Sequence, residues 1–281
     1  MNPVIYIRLT RPRQWLKNLM IFFPPFLSGA LFHPGLLAKG VVPFLSFCCA
    51  SSGSYIVNDL VDCSRDGLHP TKRFRPLPSG EMSRSSALSL AVLLLSGALW
   101  SAMLVSKVFL SYVVVYLAVS LLYTFVLKNW PLMDIFSISL GFVFRLYGGG
   151  EAFRVEISDW LFLSVFLLAI FLSVGKRFSE QLSLGEDAIL HRPALEEYPS
   201  GFLEGAMYMS GAAVIVTYAI FAITKPMLVY TVPFCMFGLL RFLMRIKAGK
   251  SGDPTDALVK DAPLLAVSVC WIFLVSWCVY Q

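Results

Sequence analysis

The chain has 281 residues, 57% of them hydrophobic and only 14% charged, with a formal net charge of +6. A mean hydropathy of +0.73 excludes an ordinary water-soluble domain, whose exterior must be polar. The six cysteines show no metal spacing and lie mostly in apolar runs, as small core hydrophobes do. His33, His69 and His191 are scattered and suggest no metal triad. A cleavable leader is not expected, because Pro24 and Pro25 interrupt the first apolar run and no A-x-A site follows.

Apolar runs of about 20 residues recur from end to end, each long enough to cross a hydrocarbon layer of about 30 Å. Nine spans are expected, near 18–36, 39–59, 85–105, 107–127, 131–150, 158–175, 202–223, 226–246 and 262–280. The expected fold is therefore all-α, a polytopic membrane bundle of about nine helices forming one domain over 1–281. Ahead of span 1, Arg11 and Arg13 read as snorkelling cations, whereas Lys17 and Asn18 stand where the span begins and are cavity candidates. Pro24 and Pro25 should kink or break that span.

Span 2 runs into Asn58, Asp59, Asp62 and Asp66. On a continuing helix the three aspartates stand at i, i+3 and i+7, on one face, with Asn58 one turn from Asp62. Carboxylates so spaced repel one another unless a cation lies among them, and hard oxygen ligands favour Mg²⁺ or Mn²⁺. Magnesium is usually completed by substrate phosphates, so Asp59, Asp62 and Asp66 predict a phosphorylated ligand. Lys72, Arg73 and Arg75 follow within about ten residues and suit phosphate oxygens.

Ser83, Ser85 and Ser86 are natural caps for span 3. Tyr123 and Lys128 close span 4, and Pro131 is placed in the first turn of span 5. Asp134, Ser137, Gly141 and Arg145 then form one polar stripe on an apolar helix, with Arg145 roughly 16 Å beyond Asp134. An arginine at that depth costs several kcal/mol unless it faces a wet cavity or an anion. Ser173, Lys176, Arg177 and Glu180 share a face at the end of span 6. Asp253 and Pro254 read as the cap and first residue of a helix, which structure alone explains.

Nine spans with the amino terminus inside place eighteen Lys and Arg on the cytoplasmic side, Arg192 among them, and four outside. The expected location is thus the inner or plasma membrane, multi-pass, with the site facing the cytoplasm.

The N-D-x-x-D-x-x-x-D pattern of Asn58–Asp66 resembles the first aspartate motif of the UbiA superfamily of intramembrane prenyltransferases. More closely, the chain is similar to the decaprenyl-phosphate phosphoribosyltransferases of that superfamily. The similarity is carried by Arg11–Asn18, Tyr55–Asp59, His69–Pro76, Leu127 with Lys128, Arg145 with Gly148–Gly150, and Gly175–Glu180. Where ordinary aromatic prenyltransferases carry a second D-x-x-x-D motif, this chain has Lys176, Arg177 and Glu180, which implies a more cationic pocket.

The resemblance implies Mg-dependent transfer of 5-phosphoribose from 5-phosphoribosyl 1-diphosphate to a polyprenyl phosphate, in building a cell envelope. It gives Asp59, Asp62, Lys72 and Arg73 catalytic roles. Lys17, Asn18, Asn58, Asp66, Arg75, Tyr123, Lys128, Asp134, Arg145, Lys176, Arg177 and Glu180 become substrate-binding candidates. Membrane lipids are expected partners, nucleic acid is not, and a homo-oligomer is left open. The alternatives are prenyl transfer from a prenyl diphosphate to a small aromatic acceptor, and an anion transporter.

Overall fold

The computed structural model describes residues 3–68, 70–184 and 193–281, so His69, His191 and Arg192 lie outside the described residues. An amino-terminal helix α1 (Pro3–Thr10) leads into a 3₁₀ segment (Pro12–Phe22) and a one-turn helix (Phe23–Leu27). The long helices are α2 (Val41–Leu68), α3 (Arg84–Val105), α4 (Lys107–Phe125), α5 (Met133–Phe153), α6 (Asp159–Leu184) and α7 (Phe202–Ile223). Helices α8 (Val232–Lys247), α9 (Pro254–Lys260) and α10 (Ala262–Tyr280) complete the bundle.

Seven helices among the described residues are long and apolar enough to cross a membrane. Two of the nine expected spans differ from these. The first is no continuous helix: Pro24 and Pro25 fall in the short Phe23–Leu27 turn, as two missing N–H donors require. The fifth corresponds to α5, whose 21 residues carry Asp134, Arg145, Glu151 and three consecutive glycines. Pro131 sits just ahead of α5 rather than within its first turn, and Leu132 between them adopts a positive φ of 65°.

Burial separates two kinds of helix. In the most apolar stretch of the span containing α2, 61% of residues are buried, and 56% in α6, against 11% in α10. The helices that carry polar motifs are therefore central. The most apolar helices form the rim and turn Leu93, Trp100 and Phe273 outward, as a lipid-facing surface does.

Small residues let the central helices close. Ala87, Ala91, Ala98 and Ala102 form the buried face of α3, and Gly53 of α2 faces Leu95 and the Ala91 carbonyl. Ser83 and Ser106 cap α3 and α4 through the Ser86 and Phe109 N–H groups. On α5, a Cβ at Gly149 would stand 2.2 Å from the Ile21 carbonyl oxygen. That close approach seats the 3₁₀ segment, with Lys17 and Asn18, against α5.

Candidate functional site

A cavity of about 280 Å³ opens among α2, α4, α5 and α6, with the Pro12–Phe22 segment and the start of α9 at its edge. At its α2 end, Asn58, Asp62 and Asp66 line the wall together with Lys72, Arg75 and Arg11. Asp59 stands just behind, 1% exposed. The cations hold the carboxylates. Arg11 pairs with Asp59. Arg75 reaches both Asp59 (3.1 Å) and Asp66 (2.5 Å). Lys72 is 3.8 Å from Asp66, and Lys128 is 2.6 Å from Asp62.

Lys72 and Arg75, expected at phosphate oxygens, lie against Asp59 and Asp66, expected at a metal. Among the described residues no three acidic, His or Cys side chains converge as a metal cluster. The physical reason is proximity: each aspartate on the helix face has a cation closer to hand than a second carboxylate. Arg73 is exposed with its guanidinium over the Phe74 ring, outside the cavity lining. Two oxygens of the same face are left over: Ser54 Oγ and Asn58 Oδ1 are buried without a hydrogen-bond partner.

Deeper in, Arg145 lines the cavity and is almost wholly buried. Its Nε donates to Asn18 Oδ1 (2.7 Å), one terminal nitrogen to the Gly141 carbonyl (2.7 Å) and the other to Tyr116 OH (3.0 Å). The Phe47, Tyr116 and Phe142 rings surround the guanidinium. Asn18 is thus a holder of Arg145 rather than a lining residue. It is itself held by Cys48 and Ser51.

The α6 end is organised by Arg177, which is buried yet fully engaged. Its Nε donates to Asp134 (2.5 Å), a terminal nitrogen to Glu180 (2.8 Å) and the other to Tyr123 OH (3.4 Å). Tyr198 OH donates to the second oxygen of Asp134 (2.9 Å) and accepts from the Leu132 N–H (2.7 Å). Arg177 and Asp134 are therefore a buried strut that presents Tyr123 and Glu180 to the cavity. With Arg177 so engaged, the other cations lining this part of the cavity are Lys17, Lys176 and Arg145.

Lys176 pairs with Asp253 at 3.3 Å, across 77 residues of sequence. Burial pushes the Asp253 carboxyl up, but Lys176 and Lys17 outweigh it and hold the group down at about 2. Its Oδ1 meanwhile caps α9 through the Thr255 and Asp256 N–H groups.

Sequence reading missed three contributors. Arg11 was expected to snorkel, and Asp253 with Pro254 only to start a helix. The third is a set of hydroxyls, Tyr116, Ser120 and Thr124 of α4, which complete a wall with the expected Tyr123, Ser137 and Ser173. The four- and three-residue steps between Tyr116, Ser120 and Tyr123 on an apolar helix were a legible signal for it.

A family model described as the UbiA prenyltransferase family matches residues 22–277. The chain is 32% identical to the decaprenyl-phosphate phosphoribosyltransferase of Mycolicibacterium smegmatis, over 98% of this chain and 92% of that one. It is 31% identical to the protein of the same description from Corynebacterium glutamicum, with 98% and 86% covered. A solved UbiA homologue from Archaeoglobus fulgidus, bound to DMAPP and Mg²⁺, superposes with a TM-score of 0.74 over 98% of both chains. At 22% identity that likeness shows the fold.

Proposed function

The chain belongs to the UbiA prenyltransferase family, as a multi-pass membrane transferase, and we propose that it moves 5-phosphoribose from 5-phosphoribosyl 1-diphosphate onto a polyprenyl phosphate, releasing diphosphate. One observation carries this reading. A single cavity holds two separate cationic ends joined by a wall of hydroxyls, which suits a sugar bearing phosphate at both ends better than an apolar prenyl donor. The names of the relatives at 31–32% identity support it.

The residues present fit a divalent cation. Asn58 Oδ1 is a buried oxygen without a partner, and Asp62 and Asp66 add hard carboxylate oxygens on the same cavity wall, with Asp59 behind them. These four would hold Mg²⁺ or Mn²⁺. Such an ion offsets the negative charge that grows on the departing diphosphate as the C1–O bond breaks.

Arg11, Lys72 and Arg75 supply fixed positive charge to the same phosphates. Tyr123, Glu180 and the Ser120 and Ser137 hydroxyls face the ribose. The acceptor phosphate is an anion at neutral pH, so its oxygen attacks C1 without a strong general base. The active site faces the cytoplasm, as the charge asymmetry of the loops supports, and the rim helices border the lipid from which the acceptor enters.

A donor-by-acceptor assay on the purified protein, with and without Mg²⁺, tests the proposal. Label from phosphoribosyl diphosphate is expected in the polyprenyl lipid. Label entering only from a prenyl diphosphate overturns it and favours the family's prenyl transfer instead.

A further inference from the structure

Two buried arginines donate through Nε to a side chain on another segment, and the two acceptors differ in charge. Arg177 donates to the Asp134 carboxylate, and Glu180 adds a second one, so its charge is answered inside the protein. Arg145 donates instead to the amide oxygen of Asn18 at 2.7 Å. Its other acceptors, the Gly141 carbonyl and Tyr116 OH, are neutral as well. Of the five N–H groups an arginine carries, these bonds take three and leave one on each terminal nitrogen.

Among the described residues, the carboxylates that line the cavity are engaged elsewhere: Asp62 by Lys128, Asp66 by Arg75 and Glu180 by Arg177. Glu180 is held beside Asp134, whose Cα lies roughly 16 Å along α5 from that of Arg145. Arg145 is nevertheless only 4% exposed. The rings of Phe47, Tyr116 and Phe142 offset part of what a buried lone cation costs. The amide is fixed in turn: Asn18 Nδ2 donates to Cys48 Sγ and to Ser51 Oγ, each at 3.2 Å, which leaves its oxygen to the guanidinium.

We propose that Asn18 is a positioning residue that holds Arg145 without neutralising it, and so reserves the guanidinium for a ligand phosphate deep in the cavity. A purely structural role would be served as well by an aspartate, as Arg177 and Asp134 show. That the ligand is a phosphate rests on the function proposed above. Two sources share this chemistry, the 5-phosphate of the donor and the phosphate of the lipid acceptor, whereas the diphosphate belongs to the α2 end.

The test is Asn18→Asp in the full-length protein, in detergent. The variant supplies the absent carboxylate, and the Ser51 hydroxyl can turn to donate to it, so the protein should melt no lower than wild type. It is titrated with ribose 5-phosphate, with a short-chain polyprenyl phosphate and with inorganic diphosphate plus Mg²⁺. Affinity for one of the two phosphomonoesters is expected to fall at least about tenfold, and that for diphosphate to change less than about twofold. A loss for ribose 5-phosphate assigns Arg145 to the donor, and a loss for the lipid assigns it to the acceptor. In turnover, the KM of the same substrate should rise with little change in kcat. Arg145→Gln removes the charge outright and should reproduce the selective loss, which decides the matter if Asn18→Asp misfolds. Unchanged affinity for both phosphomonoesters in a folded variant overturns the proposal, and so does an equal loss for all three ligands. None of these titrations requires turnover, so a prenyl donor in the labelling assay and a failed charge effect remain separate results.

Discussion

The α2 end of the cavity is a web in which Arg75 bridges two aspartates and Lys72 reaches one of them, with both cationic side chains 30% exposed. The α6 end rests instead on Arg177, 1% exposed and locked between Asp134 and Glu180. Both ends use the same residue types in ion pairs. What differs is access to water. A pair whose cation is open to water is screened and yields more readily to an incoming ligand. Buried pairs do not yield, because separating one strands a charge. Similar motifs therefore serve exchange at one end and construction at the other.

That contrast can be broken at either end. Asp62→Asn should have the largest effect on chemistry, lowering kcat by about a thousandfold. The melting temperature should stay near that of the native protein, and activity within tenfold would count against a metal-bound diphosphate. Arg177→Gln should act on the fold, costing about 3–5 kcal/mol by leaving Asp134 stranded. A denaturation midpoint unchanged from wild type would show that the strut is not structural.

Asp253 offers a smaller, pH-dependent measure. Its carboxyl is held at about 2, against an ordinary value of 3.8. A depressed folded value stabilises the protein above the unfolded one, so the contribution is full above pH ~5 and fades as pH falls from about 4 towards 2. It amounts to about 2 kcal/mol at most. The stability gap between wild type and Asp253→Asn should narrow over that window, whereas a constant gap would contradict the ion pair. Smallest of all, Arg73→Ala should change turnover less than about twofold, because Arg73 lies outside the cavity lining. A large loss there would mean that its loop folds inward during the reaction.

Much of this was legible in the residues. Periodicity placed Asp59, Asp62 and Asp66 on one face of a helix, with Asn58 a turn from Asp62, and Asp134, Ser137, Gly141 and Arg145 on another, because spacing reports which side chains share a face. Asp62, Asp66, Ser137, Gly141 and Arg145 line the cavity, and Asp59 and Asp134 do not. Spacing does not report which helices meet. Arg145 finds Asn18 across 127 residues, Arg177 finds Asp134 across 43 and Arg11 finds Asp59 across 48. None of these partners is set by local spacing, so Arg177 read as a substrate-binding candidate and Arg11 as a snorkelling cation. Asp253 was understood by half, as a cap, since one carboxylate oxygen suffices for that role and the other remained to be placed.

The contact between Gly149 and Ile21 carries a consequence for the barrier function of the membrane. A wet cavity that reaches an arginine inside the bundle is half of a channel. Just past Arg145, buried Gly148 packs against Phe47 and Phe109, Gly149 against the Ile21 backbone and Gly150 against Val155 and Ile157, so the bundle is tightly closed there. A side chain at position 149 must push Ile21 aside, so its harm would reach beyond catalysis. Vesicles carrying Gly149→Val should leak protons and small ions, dissipating an imposed gradient that wild-type vesicles hold.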